Sequence, residues 1–398
     1  MLNKKLFYIS FIYFFSGIPF GFFYTFIPVF LRTQRINLET IGLFSIAGLP
    51  WSLRLLFAPF IDRYFYKSFW MGFSLINMGI IFFVLSHLYP ATLFFLVFII
   101  LLTFFSTIFD TSADGFVVEW IPSKILGKAN GFRISGYRIS LIIFGGGMVA
   151  LSHYLGFKSI FYVLGTITLL GGIFLLSNNF LKTEYKNYKN DNNLISLRSQ
   201  FLEPLKDILK RDRAIFILLF VLTYKLGDAL LGAMVYPFWV DRGFSRLEIG
   251  FISGTLGSIF TILGSILGGF LTNIWSIRNS LLILGFFQSI SNLGYAIASL
   301  DKFPKETVYF ASLFESLSGG LGTAAFVTFL TKLCKKNFSS TQYAIFSTLF
   351  SLSLTLSRSL SGYGVNYLGY TYFFLFTFFI SFLPFLLIPI IRENTQSE

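Results

Sequence analysis

Charge is scarce in this chain: Asp, Glu, Lys and Arg make up 12% of 398 residues, against 55% hydrophobic ones. No soluble core of this size needs so much apolar surface, so a bilayer is the expected solvent. Cysteine is nearly missing as well, and the lone Cys334 excludes an internal disulfide framework and a cysteine metal cluster. The two histidines, His87 and His153, stand apart from each other and from any ligand set, which argues against a metal centre or a nucleophilic triad. No Gly-x4-Gly-Lys-Ser/Thr loop is present, so direct ATP drive is not expected, nor is any cofactor. The net charge of +13 is spread along loops and is not gathered with stacking aromatics, which speaks against nucleic acid as a partner.

Long apolar runs take up nearly everything else. Membrane-spanning helices are expected near 6–31, 41–61, 69–88, 92–118, 132–152 and 157–178, then near 214–239, 248–272, 279–299, 306–331, 341–367 and 371–391. The first follows Lys4 and Lys5 and is far longer than a signal-peptide core, so it reads as a true span. Between the two sets lies a polar stretch with eight Lys/Arg and five Asp/Glu. The expected organisation is a six-helix bundle over 1–178, a linker over 179–213, a second bundle over 214–391 and a tail over 392–398. Sorted by alternate loops, 20 basic residues fall on the side of the termini and linker, seven on the other and four inside helices, which places both termini in the cytoplasm. Without the linker's eight the bias is still twelve to seven.

The halves echo one another, Leu38-Glu39-Thr40-Ile41-Gly42-Leu43-Phe44-Ser45 against Leu247-Glu248-Ile249-Gly250-Phe251-Ile252-Ser253, each opening the second helix of its half. Six plus six helices with parallel repetition fit the major facilitator architecture, an all-α fold of two bundles that rock about a midplane site.

Against this apolar background the ionisable residues are informative, because a charge inside hydrocarbon persists where it meets a partner or a wet cavity. Asp110 and Asp114 lie one turn apart on one face and can share a proton, as a proton-coupled carrier requires. The alternative for Asp114 is a simple ion pair with Arg133 or Arg138. Lys225 and Asp228 fall near the middle of the seventh helix at a spacing that lets them meet, beside Tyr224. Glu315 and Arg358 sit at similar depth in neighbouring helices and are expected to pair. Arg54, Arg138 and Asp110 share one end of the first bundle. Asp62 and Arg63 close the second helix where facilitator folds carry a Gly/Asp/Arg latch, and the second half offers only Thr272-Asn273 and Arg278 there, so the latch is one-sided. Tryptophans at segment ends, Trp51, Trp70, Trp120, Trp239 and Trp275, read as interfacial anchors.

The stretches Ser16-Gly17-Ile18-Pro19, Thr40-Ile41-Gly42-Leu43-Phe44 and Pro59-Phe60-Ile61-Asp62-Arg63 resemble the AmpG-type muropeptide permeases, a facilitator branch related to acetyl-CoA transporters. So do Tyr224-Lys225-Leu226-Gly227-Asp228-Ala229-Leu230, Gln288 to Gly294 including Asn292, Gly319 to Ala325 and Thr341-Gln342-Tyr343-Ala344. Phe109 stands where that family tends to show glutamine, whereas Asp110 and Asp114 match. The resemblance implies import of anhydro-muropeptides across a bacterial inner membrane by proton symport, among membrane lipids and as a monomer. On this expectation Asp110, Asp114, Asp228 and Glu315 couple protons, and Tyr224, Lys225, Arg54, Arg138, Arg358, Gln288 and Asn292 bind cargo or pair charges. The rival readings are a carrier or exchanger of another anionic metabolite, such as an acyl-CoA-like compound, and a transport-dead nutrient sensor. An enzyme is not expected.

Overall fold

A computed structural model describes residues 2–90, 92–120, 126–178, 181, 197–335 and 339–391, and no strand occurs among them. Hydrocarbon offers the backbone no water to bond, and a helix satisfies its own amides. The chain runs α1 (Leu2–Gly21), a π-helical turn (Phe22–Phe26), α2 (Ile27–Thr33), α3 (Leu38–Leu43), a 3-10 turn (Phe44–Gly48), α4 (Leu49–Ser52), α5 (Arg54–Arg63), α6 (Lys67–Leu85), α7 (Leu93–Trp120) and α8 (Leu126–Leu141). It continues through a second π turn (Ile142–Gly147), α9 (Met148–Ser177), α10 (Leu197–Leu209), α11 (Ala214–Thr223), α12 (Leu226–Asp241) and α13 (Arg246–Glu248). A third π turn (Ile249–Leu256), α14 (Gly257–Ile274), α15 (Ile277–Ala298), α16 (Thr307–Lys332) and α17 (Ser339–Ile380) complete it.

Nine stretches among the described residues are long and apolar enough to cross a membrane. Two of these, 131–177 and 341–386, are hairpins, each folded at a glycine in the left-handed region, Gly156 at φ 75° and Gly369 at φ 71°. A side chain would strain either turn. The expected second span, broken into α3, a 3-10 turn, α4 and α5, is not one of the nine. Counting each hairpin as two and the broken span as one gives the twelve crossings expected. The last one is shorter than expected, since α17 stops at Ile380 and the chain turns 3-10 at Leu383–Leu386, where Pro384 has no N–H to continue a ladder.

By contact density the chain forms two units, one of Met1–Thr40, Ala47–Tyr188 and Gly243–Thr255, the other of Ile41–Ile46, Lys189–Arg242 and Leu256–Glu398. Each unit thus takes in a short piece of the other sequence half, and both pieces overlap the echoed motif. The first unit packs on phenylalanine: Phe22, Phe26, Phe82 and Phe161 are buried, with Phe22 edge-on to Phe82 at 4.9 Å and to Phe161 at 5.6 Å. Such pairs contribute about 0.5–1.5 kcal/mol beyond area, which matters where lipid is as apolar as the core. The second unit centres on Phe220, Tyr224, Leu284, Phe326, Phe329 and Leu330. Of the tryptophans expected at the interface, Trp239 is interior, with 0% exposure and stacked on Tyr309, whereas Trp51 is half-buried and stacks on Phe20 at 4.1 Å.

Helix α10, outside the spans, is fastened to the second unit through Asp207. Lys335 donates to Asp207 Oδ1 at 2.6 Å, and Arg211 and Gln342 donate to Oδ2 at 2.9 and 2.8 Å. Gln342, fully buried, in turn accepts from Arg211 at 2.9 Å. Burial pushes the Asp207 carboxyl up, but the hydrogen bonds from Lys335, Arg211 and Gln342 outweigh it and hold it down at about 2. A carboxyl depressed in the folded state stabilises fully above its unfolded value and loses that contribution as pH falls through the folded one. Docking of α10 is therefore expected to be unchanged from pH 7 to 5 and to weaken towards pH 2. Asp207→Asn should release the helix even at pH 7, visible as lost amide-exchange protection over 197–209.

Candidate functional site

The seventh crossing breaks between α11 and α12, where Lys225 takes φ −109° and ψ 14° and caps the second piece. From that break the Lys225 ammonium, 6% exposed, donates to Asp228 Oδ2 at 3.1 Å, Gln288 Oε1 at 2.7 Å and the Gly319 carbonyl at 3.2 Å. All three of its protons are used, which is what makes a buried ammonium tolerable. Asp228 stands in the first turn of α12, where the helix end favours a carboxylate. Gln288 reaches the ammonium past Gly322, whose missing Cβ would lie 1.9 Å from Gln288 Oε1. On α16, Glu315 and Gly319 share a face one turn apart. Glu315 Oε1 and Asp228 Oδ2 lie 3.8 and 4.0 Å from the point where a Cβ on Gly319 would stand. The charges facing Glu315 are thus Asp228 and Lys225, where helix depth alone suggests Arg358. Arg358 lies on α17 with its backbone carbonyl against Gly42.

Two residues expected at the cargo make packing contacts in this structure. Tyr224 donates to the Leu281 carbonyl at 3.1 Å and stacks on Phe326 at 5.0 Å. Asn292, fully buried, donates to Ser381 Oγ at 3.1 Å and the Thr377 carbonyl at 3.3 Å, tying α15 to α17.

The first unit holds a second charged cluster. Asp114 is gripped by Arg54, Arg133 and the Tyr13 hydroxyl, with the Arg133 guanidinium 4.4 Å from the centre of the Tyr13 ring. Asp110 accepts from Ser16 Oγ at 2.5 Å. The two carboxylates do share a face, but each has its own partners, and Asp114 takes the ion-pair alternative with Arg133. Arg138 lies five residues further along α8, half-buried. Phe109 is fully buried. The side chains of Asp62 and Arg63, expected as a gate, lie outside the described residues. Removing the charge in Asp114→Asn leaves two guanidiniums facing each other, whereas Asp110→Asn keeps the Ser16 bond. The first is expected to lower the melting temperature of the purified protein by several degrees and the second to leave it nearly unchanged.

Tyr13, Ser16 and the Gly319 carbonyl were not legible as site groups. The first two follow the polar i, i+3 stripe on α1, the one signal that could have found them. A backbone carbonyl leaves no trace in sequence. Among the described residues no group of three or more His, Cys, Asp or Glu could hold a metal ion.

Residues 9–353 match the model of the Major Facilitator Superfamily. Putative transporter AmpG 4 of Rickettsia conorii is 29% identical over 396 residues, covering 95% of this chain and 94% of that protein. The anhydromuropeptide permease of Escherichia coli K12 is 28% identical over 392 residues, covering 96% of this chain and 78% of the permease. Among solved structures, a bacterial homologue of the human lysosomal transporter Spinster, inward-facing and unoccupied, aligns with a TM-score of 0.79 at 14% identity, over 98% of this chain and 96% of that one. That likeness concerns the fold. The helices, the matched length and the relatives agree: this multi-pass membrane protein is a transporter belonging to the Major Facilitator Superfamily.

Proposed function

We propose that this transporter imports anhydro-muropeptides across a bacterial inner membrane together with protons, by alternating access of its two bundles and with both termini in the cytoplasm. The observation that carries the reading is the cluster at the break of the seventh crossing, where Lys225, Asp228 and Glu315 converge with Gln288 and the Gly319 carbonyl. Two carboxylates beside one ammonium leave one negative charge, so a single proton brings the cluster to neutrality. A neutral cluster crosses between orientations without carrying charge through hydrocarbon, which is the elementary requirement of a symporter. Lys225 is assigned to an amide carbonyl of the stem peptide, which would compete with Asp228 for the ammonium and, adding no charge to the cluster, tie cargo binding to uptake of that single proton. A broken helix near the midplane is also where carriers of this general type expose backbone groups to cargo. The names of the two relatives support the choice of cargo.

Right-side-out proteoliposomes given radiolabelled anhydro-muropeptide, with and without an imposed inward proton gradient, test this. Accumulation is expected with the gradient alone. Equal uptake in both conditions overturns the coupling, and no uptake by folded, inserted protein overturns the cargo.

A further inference from the structure

The first unit has two aromatic populations. Phe22, Phe26, Phe82 and Phe161 are buried and purely apolar. A separate group, Phe20, Tyr24, Trp51 and Tyr137, is half-buried, and three of its four rings carry a polar atom. Trp51 stacks on Phe20 at 4.1 Å with 22° between planes and on Tyr24 at 5.7 Å with 28°, while Tyr137 meets Phe20 edge-on at 5.8 Å. The indole is fixed in that pose, because its Nε1 donates to Ser106 Oγ at 3.1 Å.

Ser106 precedes Asp110 by one turn of α7, and Ser16, the partner of Asp110, precedes Phe20 by one turn of α1. The half-buried rings therefore stand one helical turn from a carboxylate and a hydroxyl. This separates them from lipid-facing anchors, since a carboxylate at this depth faces the bundle interior or a wet cavity and not the hydrocarbon. It also separates them from the fully buried phenylalanine core of this unit, whose rings carry no polar atom.

An aromatic face with hydrogen-bonding groups at its edge is complementary to a pyranose, whose ring presents C–H bonds on its faces and hydroxyls around its rim. We infer that this face of the first unit is a carbohydrate subsite: a sugar ring packs against the open side of the Trp51 and Phe20 stack, and its rim hydroxyls reach Asp110, Tyr24 and Tyr137. The inference rests on the muropeptide reading for its ligand and assigns the sugar part of that cargo chiefly to aromatic residues that no charge argument would select.

The test uses the full chain in detergent and the anhydro-disaccharide of the cargo without its stem peptide. Calorimetric titration is expected to show binding by the natural protein, weakened about tenfold by Trp51→Ala, the upper end of what one stacking contact supplies, and largely kept by Trp51→Phe. Saturation-transfer NMR on the natural protein, irradiating aromatic protons, is expected to label the ring C–H protons of the sugar, a readout that needs no variant to fold. Absent binding by the natural protein, equal binding by Trp51→Ala, or saturation that bypasses the sugar protons each overturns the subsite. If labelled muropeptide is still accumulated in that case, the cargo reading survives alone. Trp51-dependent disaccharide binding without any muropeptide uptake leaves the subsite standing and removes the cargo reading.

Discussion

Asp228→Asn is expected to reduce gradient-driven accumulation of labelled muropeptide to that of protein-free vesicles while leaving a folded, inserted protein. The asparagine oxygen can still accept from Lys225, whose ammonium also keeps Gln288 Oε1 at 2.7 Å and the Gly319 carbonyl at 3.2 Å. Charge is what changes. One carboxylate, Glu315, then stands beside one ammonium, the cluster is neutral without a proton, and the driving force has nothing to act on. Exchange of labelled for unlabelled cargo across the membrane should therefore persist, and comparing it with net uptake in the same vesicles is the decisive measurement. Normal, protonophore-sensitive accumulation by Asp228→Asn would remove this carboxylate from the coupling. Lys225→Ala is the contrasting variant, since it leaves two carboxylates with no counter-charge. Breaking a buried pair from one side costs about 3–5 kcal/mol, so that protein is expected to fail at the level of folded yield.

The second large effect concerns packing. A Cβ on Gly264 would stand 2.0 Å from the Leu317 carbonyl oxygen, and one on Gly320 would stand 2.3 Å from that of Thr261, so α14 and α16 cross backbone to backbone. Neither oxygen can swing aside as a side-chain tip would. Gly264→Ala is thus expected to destabilise the purified protein by about 3 kcal/mol or more, beyond ordinary overpacking, or to abolish its folded yield. Gly269→Ala, five residues along the same helix with nothing within 4 Å of its added carbon, is expected to be neutral or to stabilise by about 0.5–1 kcal/mol. Paired melting curves in detergent compare them directly, and coincident curves would show that the helices do not cross so closely. The crossing bears on function because Gly320 adjoins Gly319, whose carbonyl holds Lys225.

The legible features were those encoded within a single helix. Twelve crossings follow from the length of apolar runs, and even the broken second span was located by its flanks. Lys225 and Asp228 were expected to meet because three residues along a helix bring side chains together whatever surrounds them, and they do, at 3.1 Å. Asp110 and Asp114 share a face for the same local reason, yet their roles diverge: what a neighbouring helix offers decides them, a Ser16 hydroxyl to one and two guanidiniums with a phenol to the other. Trp51 reads as an interfacial anchor by residue type alone, but it stands in the middle of the 41–61 run, and its stacking on Phe20 shows what it serves.

By itself, then, the sequence determined the solvent, the number of crossings, the superfamily and the charged residues worth attention, since all of these depend on composition and spacing along one chain. Only the tertiary structure decided that Glu315 joins Lys225 and Asp228, that Gln288 lies within 2.7 Å of the ammonium and that Arg133 is a partner of Asp114. The physical reason is the bilayer. In water the apolar stripe of a helix announces which face is inside, but in lipid both faces are apolar, and the choice of neighbour passes to glycine gaps, ring geometry and buried hydrogen bonds.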